Sequence, residues 1–397
     1  MEKDNSRLIY CLLGFAVFLL VPSFDTILRY FGLIGVVGYF VFGTLIVVLN
    51  GEPRLLTFIK SCPERIVIAL AILTFVALLV VTLIGYPIAH SGIYGPGGDV
   101  DDAMRIATGE LVQGHYPYYL KTYLGWPISP LPGALILAIP WVVSGFLQLQ
   151  NVFWISVLFG VLRYHFQKSA PALLFVWLLL LLSPTVLHGF VTGSDYISNS
   201  IYVLVSMWFS IRYAASPDSP EWKKILLAVF VGVCLSSRFN FIFAMPLYFS
   251  ICVQTAGWGR AVRSILISIA VFTAITLPFW LYDPTGFSPL AAQDKFKILE
   301  TVLPYAGVLI PGSAMALAIV LACRRFKHGH ATFLIYSGIV QLYLLLFTSA
   351  VSAVVAGKLN LFNSTTGYGM FSLFFGTVGF WIMLNNSQSK AETALRT

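Results

Sequence analysis

The sequence predicts an all-α, polytopic membrane protein of about twelve transmembrane helices. Three observations carry that expectation. The 397 residues are 58% hydrophobic and only 10% charged, with a mean hydropathy of +0.86. A soluble domain cannot hide so much apolar surface, whereas a bundle of spans can. The apolar residues fall into repeated runs near the length of a crossing. The basic residues sort into alternate connections between those runs.

In chain order the runs are 8–22, 28–49, 66–88, 150–166, 171–188, 197–213, 224–238, 240–257, 264–282, 302–323, 332–356 and 367–385. Several are shorter than the ~20 residues of a straight crossing, so their boundaries are soft. The first, Leu8 to Val21, has no small-x-small cleavage site and reads as a retained anchor. The run 131–149 opens on Pro130-Leu131-Pro132 and contains Pro140. By composition it can cross, re-enter or lie on the surface. Charge decides. If 131–149 does not cross and the N-terminus is cytoplasmic, 17 of the 24 basic residues lie inside and 7 outside. If it crosses, the inside count falls to 9. The positive-inside rule selects the first arrangement, with both termini cytoplasmic. Residues 1–385 then form one transmembrane domain. Residues 89–149 form one long outer segment with amphipathic or re-entrant helices, and 386–397 a short cytoplasmic tail.

The net charge of +8 sits in short loops and not on a solvated domain, which excludes nucleic acid as a partner. Cys11, Cys62, Cys234, Cys252 and Cys323 show no metal-ligand spacing, so neither disulfides nor a zinc site is expected.

The outer segment holds the chemistry. Three of the chain's sixteen carboxylates lie within four residues, in Gly97-Gly98-Asp99-Val100-Asp101-Asp102. Val100, Ala103, Met104, Ala107 and Leu111 follow at helical spacing, which predicts an amphipathic helix over 99–113 on the membrane surface. Two readings of the acids stand side by side. Asp99 is a good N-cap, and Asp101 can pair with Arg105 at i,i+4. Alternatively Asp99 is catalytic, since acids beside a membrane-embedded pocket are usually functional.

After Asp99 come Gly114-His115-Tyr116-Pro117-Tyr118 and Trp126-Pro127-Ile128-Ser129-Pro130-Leu131. Later in the chain stand Ser183-Pro184, Gly193-Ser194-Asp195, and Ser236-Ser237-Arg238-Phe239-Asn240 followed by Pro246. Over residues 66 to 260 this order resembles the GT-C class of membrane glycosyltransferases. It is most similar to the polyprenyl-phosphate-sugar-dependent mannosyltransferases and the mannosyltransferase of glycosylphosphatidylinositol synthesis. Asp99-Val100-Asp101 is similar to the Asp-x-Asp of that class. The family's Tyr shortly after the first Asp is missing, and two spans precede the one expected to be first. Sugar and acceptor therefore do not carry over.

The resemblance implies inverting transfer of a sugar from a polyprenyl-phosphate carrier to an acceptor hydroxyl on a glycan, lipid or protein. Such a reaction needs a carboxylate to take the hydroxyl proton, and Asp99 is the candidate, with Asp101 or Asp102 orienting the acceptor. It also needs a cation at the leaving phosphate. Arg238 is the first choice, with a structural pair to Asp195 as its alternative. Lys121, Lys295 and Lys297 are weaker choices. Asp195, Tyr196 and Asn199 are candidates for sugar binding, against an N-cap role for Asp195. Tyr116, Tyr118, Tyr119 and Trp126 suit a sugar platform or an interfacial belt. His188 and His115 are auxiliary candidates. A divalent cation, Mg or Mn, beside Asp99 and Asp101 is an open expectation that two carboxylates alone do not establish. A bacterial plasma (inner) membrane is the default location. The competing class is a lipid-handling protein, such as a lipid-linked polysaccharide flippase or polymerase. A secondary transporter would require ionisable groups mid-membrane, and here they crowd the outer surface.

Overall fold

The computed structural model describes residues 2–50, 61–93, 98–291, 297–357 and 368–394. Regular structure among them is helical, apart from one isolated antiparallel bridge between Lys121 and Pro127. In order the helices are α1 (Glu2–Leu20), α2 (Phe24–Asn50), α3 (Glu64–Ala89), α4 (Val100–Val112), α5 (Pro132–Val143), α6 (Gln150–Phe166), α7 (Ser169–Leu182), α8 (Pro184–Thr192), α9 (Tyr196–Ala215), α10 (Glu221–Leu235), α11 (Met245–Ala256), α12 (Trp258–Tyr282), α13 (Ala306–Ala322), α14 (His330–Ala356) and α15 (Gly369–Ala394). Short 3-10 turns cover 21–23, 147–149, 239–244 and 288–291.

Five helical stretches among the described residues are long and apolar enough to cross a membrane, or up to seven if each bent pair is one span. The chain is thus a multi-pass helical membrane protein. Each of the twelve apolar runs falls on a helix, but two differ in form from the expectation. The run 28–49 is broken at Gly32, whose φ of 64° and ψ of −169° are not helical. The run 171–188 bends by 85° between α7 and α8. Ser183-Pro184 explains that bend, since proline disfavours helical backbone in the residue before it.

Polar contacts sort the connections to two ends. At one end Glu64 accepts from the backbone N–H of Ser169 (3.2 Å) and pairs with Arg163 (3.5 Å). There Arg260 donates to Ala214 O (3.0 Å), Arg263 pairs with Glu221, and Gln254 donates to Arg324 O (3.1 Å). At the other end lie the acids of α4. The region 131–149 starts and finishes at that acid-bearing end. The N–H of Leu131 donates to Ser237 O at 3.0 Å, and α6 opens with Asn151 donating to Gly189 O (3.2 Å) and Ser194 O (2.8 Å). At 12 residues α5 spans about 18 Å and meets 147–166 at 117°.

The core is built around α9, whose Ile197, Ile201, Leu204, Met207 and Trp208 are buried and which packs against α6, α10, α11 and α15. Phe371, Phe374 and Phe375 of α15 fill the space beside α1. A second apolar cluster at the acid-bearing end joins Ala103, Met104 and Ala107 of α4 to Leu131, Ala134, Leu135 and Ala138 of α5. The helix predicted over 99–113 therefore forms, over 100–112. Its apolar face is covered by α5, not by the membrane surface as expected.

Candidate functional site

Residues 114–131 form a loop fastened at both ends. Tyr116 donates its hydroxyl to the carbonyls of Phe279 (3.0 Å) and Asp283 (3.2 Å), tying the loop to the end of α12. Burial first, then the Asp283 carboxylate, pushes the Tyr116 phenol up to about 12. Thr122 closes a tight turn, its N–H donating to Trp126 O (3.0 Å) and accepting Gly125 N–H on its carbonyl (2.8 Å). At the far end Gly133 N–H donates to Ser236 O at 2.6 Å. A Cβ on Gly133 would land on the carbonyl oxygens of Val233 and Ser236, so only glycine lets α5 start against the end of α10.

Asp99 and Asp102 take partners from the 122–126 turn, and Asp101 from the end of α3. Asp99 occupies the N-cap position but makes no side-chain cap bond. Its Oδ2 accepts the Thr122 hydroxyl at 2.6 Å, and the residue is half-exposed. The capping reading of Asp99 is thereby corrected. Asp102 accepts from Arg105 (2.8 Å) and from the N–H of Tyr123 (2.9 Å). Arg105 thus pairs at i,i+3 with Asp102, not at i,i+4 with Asp101. The reason is that Asp101 faces inward, at 2% exposure. Its Oδ2 accepts the Tyr86 hydroxyl (2.6 Å) and lies 3.1 Å from His90 Nε2.

His90 Nδ1 lies 2.9 Å from the Tyr86 carbonyl oxygen. Asp101 Oδ1 is buried without a partner among the described residues.

A second centre lies beside the first. A Cβ on Gly193, where φ is +67°, would sit 2.8 Å from the Tyr86 ring and 3.3 Å from Asp101 Cβ. Two residues on, Asp195 is at an N-cap position without a side-chain cap bond. It accepts from Arg238 Nη2 on both oxygens (2.8 Å each) and from Asn199 (2.8 Å). Arg238 also donates to Ser129 at 2.9 Å and stacks 4.9 Å from the Tyr196 ring centre. At 3% exposure its guanidinium is enclosed and neutralised. The geometry is that of the structural pair with Asp195, the alternative to a phosphate clamp.

Asp195, Tyr196, Asn199 and Arg238 thus come together, as do Asp99, Asp101 and Asp102 on the adjoining helix. Tyr118 is corrected as an open platform. It is 3% exposed, packed edge-on against Phe279 and Phe287. Burial, with Tyr116 adding to it, raises its phenol well above the usual range, against the pull of Arg238. Trp126 (58% exposed), Tyr119 and Tyr123 are the aromatic residues that face outward. Lys121 is exposed at the base of the same turn. His188 is on the exposed side of α8, with Arg29 as its charged neighbour. Lys295 lies outside the described residues.

Among the described residues no three His, Cys, Asp or Glu side chains are grouped to hold a metal ion. Asp99 and Asp101 turn to separate partners, so the pair does not fit a bridged divalent cation. Sequence reasoning passed over Tyr86, His90 and Thr122. Tyr86 and His90, at i,i+4 on the last turn of a span, share one helical face, which is the signal that marks them. Comparison with known proteins returns no matching family model, no curated relative and no solved structure of similar fold.

Proposed function

We propose that the chain is a membrane glycosyltransferase of the GT-C kind, with twelve crossings. It moves a sugar, mannose or another hexose or pentose, from a polyprenyl-phosphate carrier to an acceptor hydroxyl. The acid-bearing end would face outward and the basic end the cytoplasm of a bacterial inner membrane. The observation that carries the reading is the placement of Asp99. It stands where a cap belongs, forgoes the cap bond, and is held by Thr122 with solvent access. A carboxylate fixed in this way is suited to take a hydroxyl proton. Trp126, Tyr119 and Tyr123 offer aromatic faces on the same turn. The enclosed Arg238–Asp195 pair supports a positioning role, since it grips Ser129 at the mouth of the loop. The cation at the leaving phosphate is then sought among exposed groups of this face, Lys121 and Arg105.

The test is transfer from a panel of polyprenyl-phosphate sugars to membrane acceptors by purified protein in lipid, wild type against Asp99→Asn. Transfer that collapses in the variant with the fold intact supports the reading. No transfer from any donor by well-folded wild type overturns it in favour of a lipid-handling role.

A further inference from the structure

Helix α4 is held from two directions. Successive residues of a helix point about 100° apart. Asp99 and Asp102, three apart, therefore leave it on one side and Asp101 on another. The 122–126 turn takes the first side. Thr122 donates to Asp99 (2.6 Å), and the N–H of Tyr123 to Asp102 (2.9 Å). The end of α3 takes the second. Tyr86 donates its hydroxyl to Asp101 Oδ2 at 2.6 Å, and His90 Nε2 lies 3.1 Å from the same oxygen. With a clamp on each side, the rotation of α4 about its own axis is set.

Tyr86 is itself fixed. Its ring lies against the His90 imidazole, with centroids 4.2 Å apart. On another side it meets Gly193, where a Cβ would sit 2.8 Å from the ring. A residue without a Cβ leaves the ring its place. Tyr86 thus fills the space between α4 and the turn that leads to Asp195 and α9. Asp101 depends on this hold. It is 2% exposed, and its Oδ1 has no partner among the described residues. A buried carboxylate that loses a donor has no solvent to replace it. Asp99 stands two residues before Asp101 on the same helix start, so whatever turns α4 also turns the carboxylate that faces Thr122.

We propose that Tyr86 is a positioning residue of the transfer site. From the last turn of α3 it holds Asp101, sets the rotation of α4 and so aims Asp99. It touches no reacting atom. Its effect on rate rests on the glycosyltransferase reading, whereas the clamp on α4 stands apart from it.

The test uses the full chain in lipid nanodiscs. Tyr86→Phe keeps the ring against Gly193 and removes only the hydroxyl. Amide hydrogen exchange over 103–112 should be about tenfold faster in this variant, as for local opening that has lost one hydrogen bond to a carboxylate. Exchange in α9 should not change. In the transfer assay kcat should fall about ten- to a hundredfold, the cost of displacing a catalytic group by up to about 1 Å. The KM for donor and acceptor should hold. Against an Asp101→Ala background the same substitution should change kcat less than about twofold, because the bond is already gone. His90→Gln, at an exposed position, is the second variant should Tyr86→Phe fail to fold, and its kcat should fall in the same direction with KM unchanged. Transfer by Tyr86→Phe at the wild-type rate, or a loss that persists undiminished without Asp101, would overturn the assignment and leave the transferase reading standing. Unchanged exchange over 103–112 would overturn the clamp whether or not any donor is used. No transfer by well-folded wild type would remove the transferase reading, and the role in rate with it.

Discussion

Arg238 and Asp195 form a fully enclosed ion pair, one guanidinium nitrogen donating to both carboxylate oxygens at 2.8 Å. The pair joins the segment between α10 and α11 to the start of α9, and through Ser129 reaches the loop before α5. Burying two charges is costly, and removing one partner leaves the other uncompensated. Arg238→Met or Asp195→Leu alone should therefore destabilise by about 3–5 kcal/mol. The double variant should recover much of that loss. Thermal unfolding in detergent of the two single variants and the double one measures the coupling. Additive losses would mean the two charges do not depend on each other.

Thr122 holds Asp99 from the facing turn. If Asp99 is the base, Asp99→Asn should lower the transfer rate by about 10²–10⁴, the range of general base catalysis. Thr122→Val keeps the carboxylate and removes only the group that aims it. Its rate should fall about ten- to a hundredfold, the worth of a hydrogen bond to a charged carboxylate, with little change in acceptor KM. A KM effect without a rate effect would place Thr122 in acceptor binding instead.

What was legible in the sequence follows from what acts along the chain. Hydropathy is read locally, and it gave the helices. The bend at Ser183-Pro184 had a visible cause. The break at Gly32 had only a glycine, one among 32. Partner choice was not legible. Arg105 is within helical reach of both Asp101 and Asp102. It takes Asp102 because Tyr86 and His90, brought in by α3, claim Asp101. Likewise Arg238 and Asp195 are 43 residues apart, and only the packing of α9 against α10 reveals that the pair closes on itself.

Gly133 makes the acid-bearing end close. Its Cα faces the carbonyls that end α10, with the Ser236 hydroxyl bonded to Thr276 (2.8 Å) on α12. Gly133→Ala must push α5 away from both helices. The expected cost is about 1–3 kcal/mol, as for other overpacked sites. The displacement should also open the α4–α5 cluster, seen as faster proteolysis of the 114–131 loop. Wild-type stability with unchanged proteolysis would show that α5 shifts without strain.

The turn after α12 should respond to acid. Asp283 Oδ1 accepts Gly286 N–H (2.8 Å), the Thr285 hydroxyl (2.8 Å) and Thr285 N–H (3.1 Å). The Gly286 N–H first, then the Thr285 hydroxyl, hold its carboxyl below the usual carboxylate range. A depressed folded pKa means the turn is stabilised above the unfolded value, about 3.9 for Asp. That stabilisation is lost as pH falls through the folded value. Tyr116 anchors on the Asp283 carbonyl, so the aromatic loop should loosen with the turn. Hydrogen exchange at Gly286 should therefore accelerate below about pH 3.9 in wild type. Asp283→Asn keeps an acceptor for the turn but cannot titrate, so its exchange should be insensitive to pH over that window once the intrinsic rate is removed. A wild-type profile that matches the Asn variant would show that the turn is held by the backbone alone.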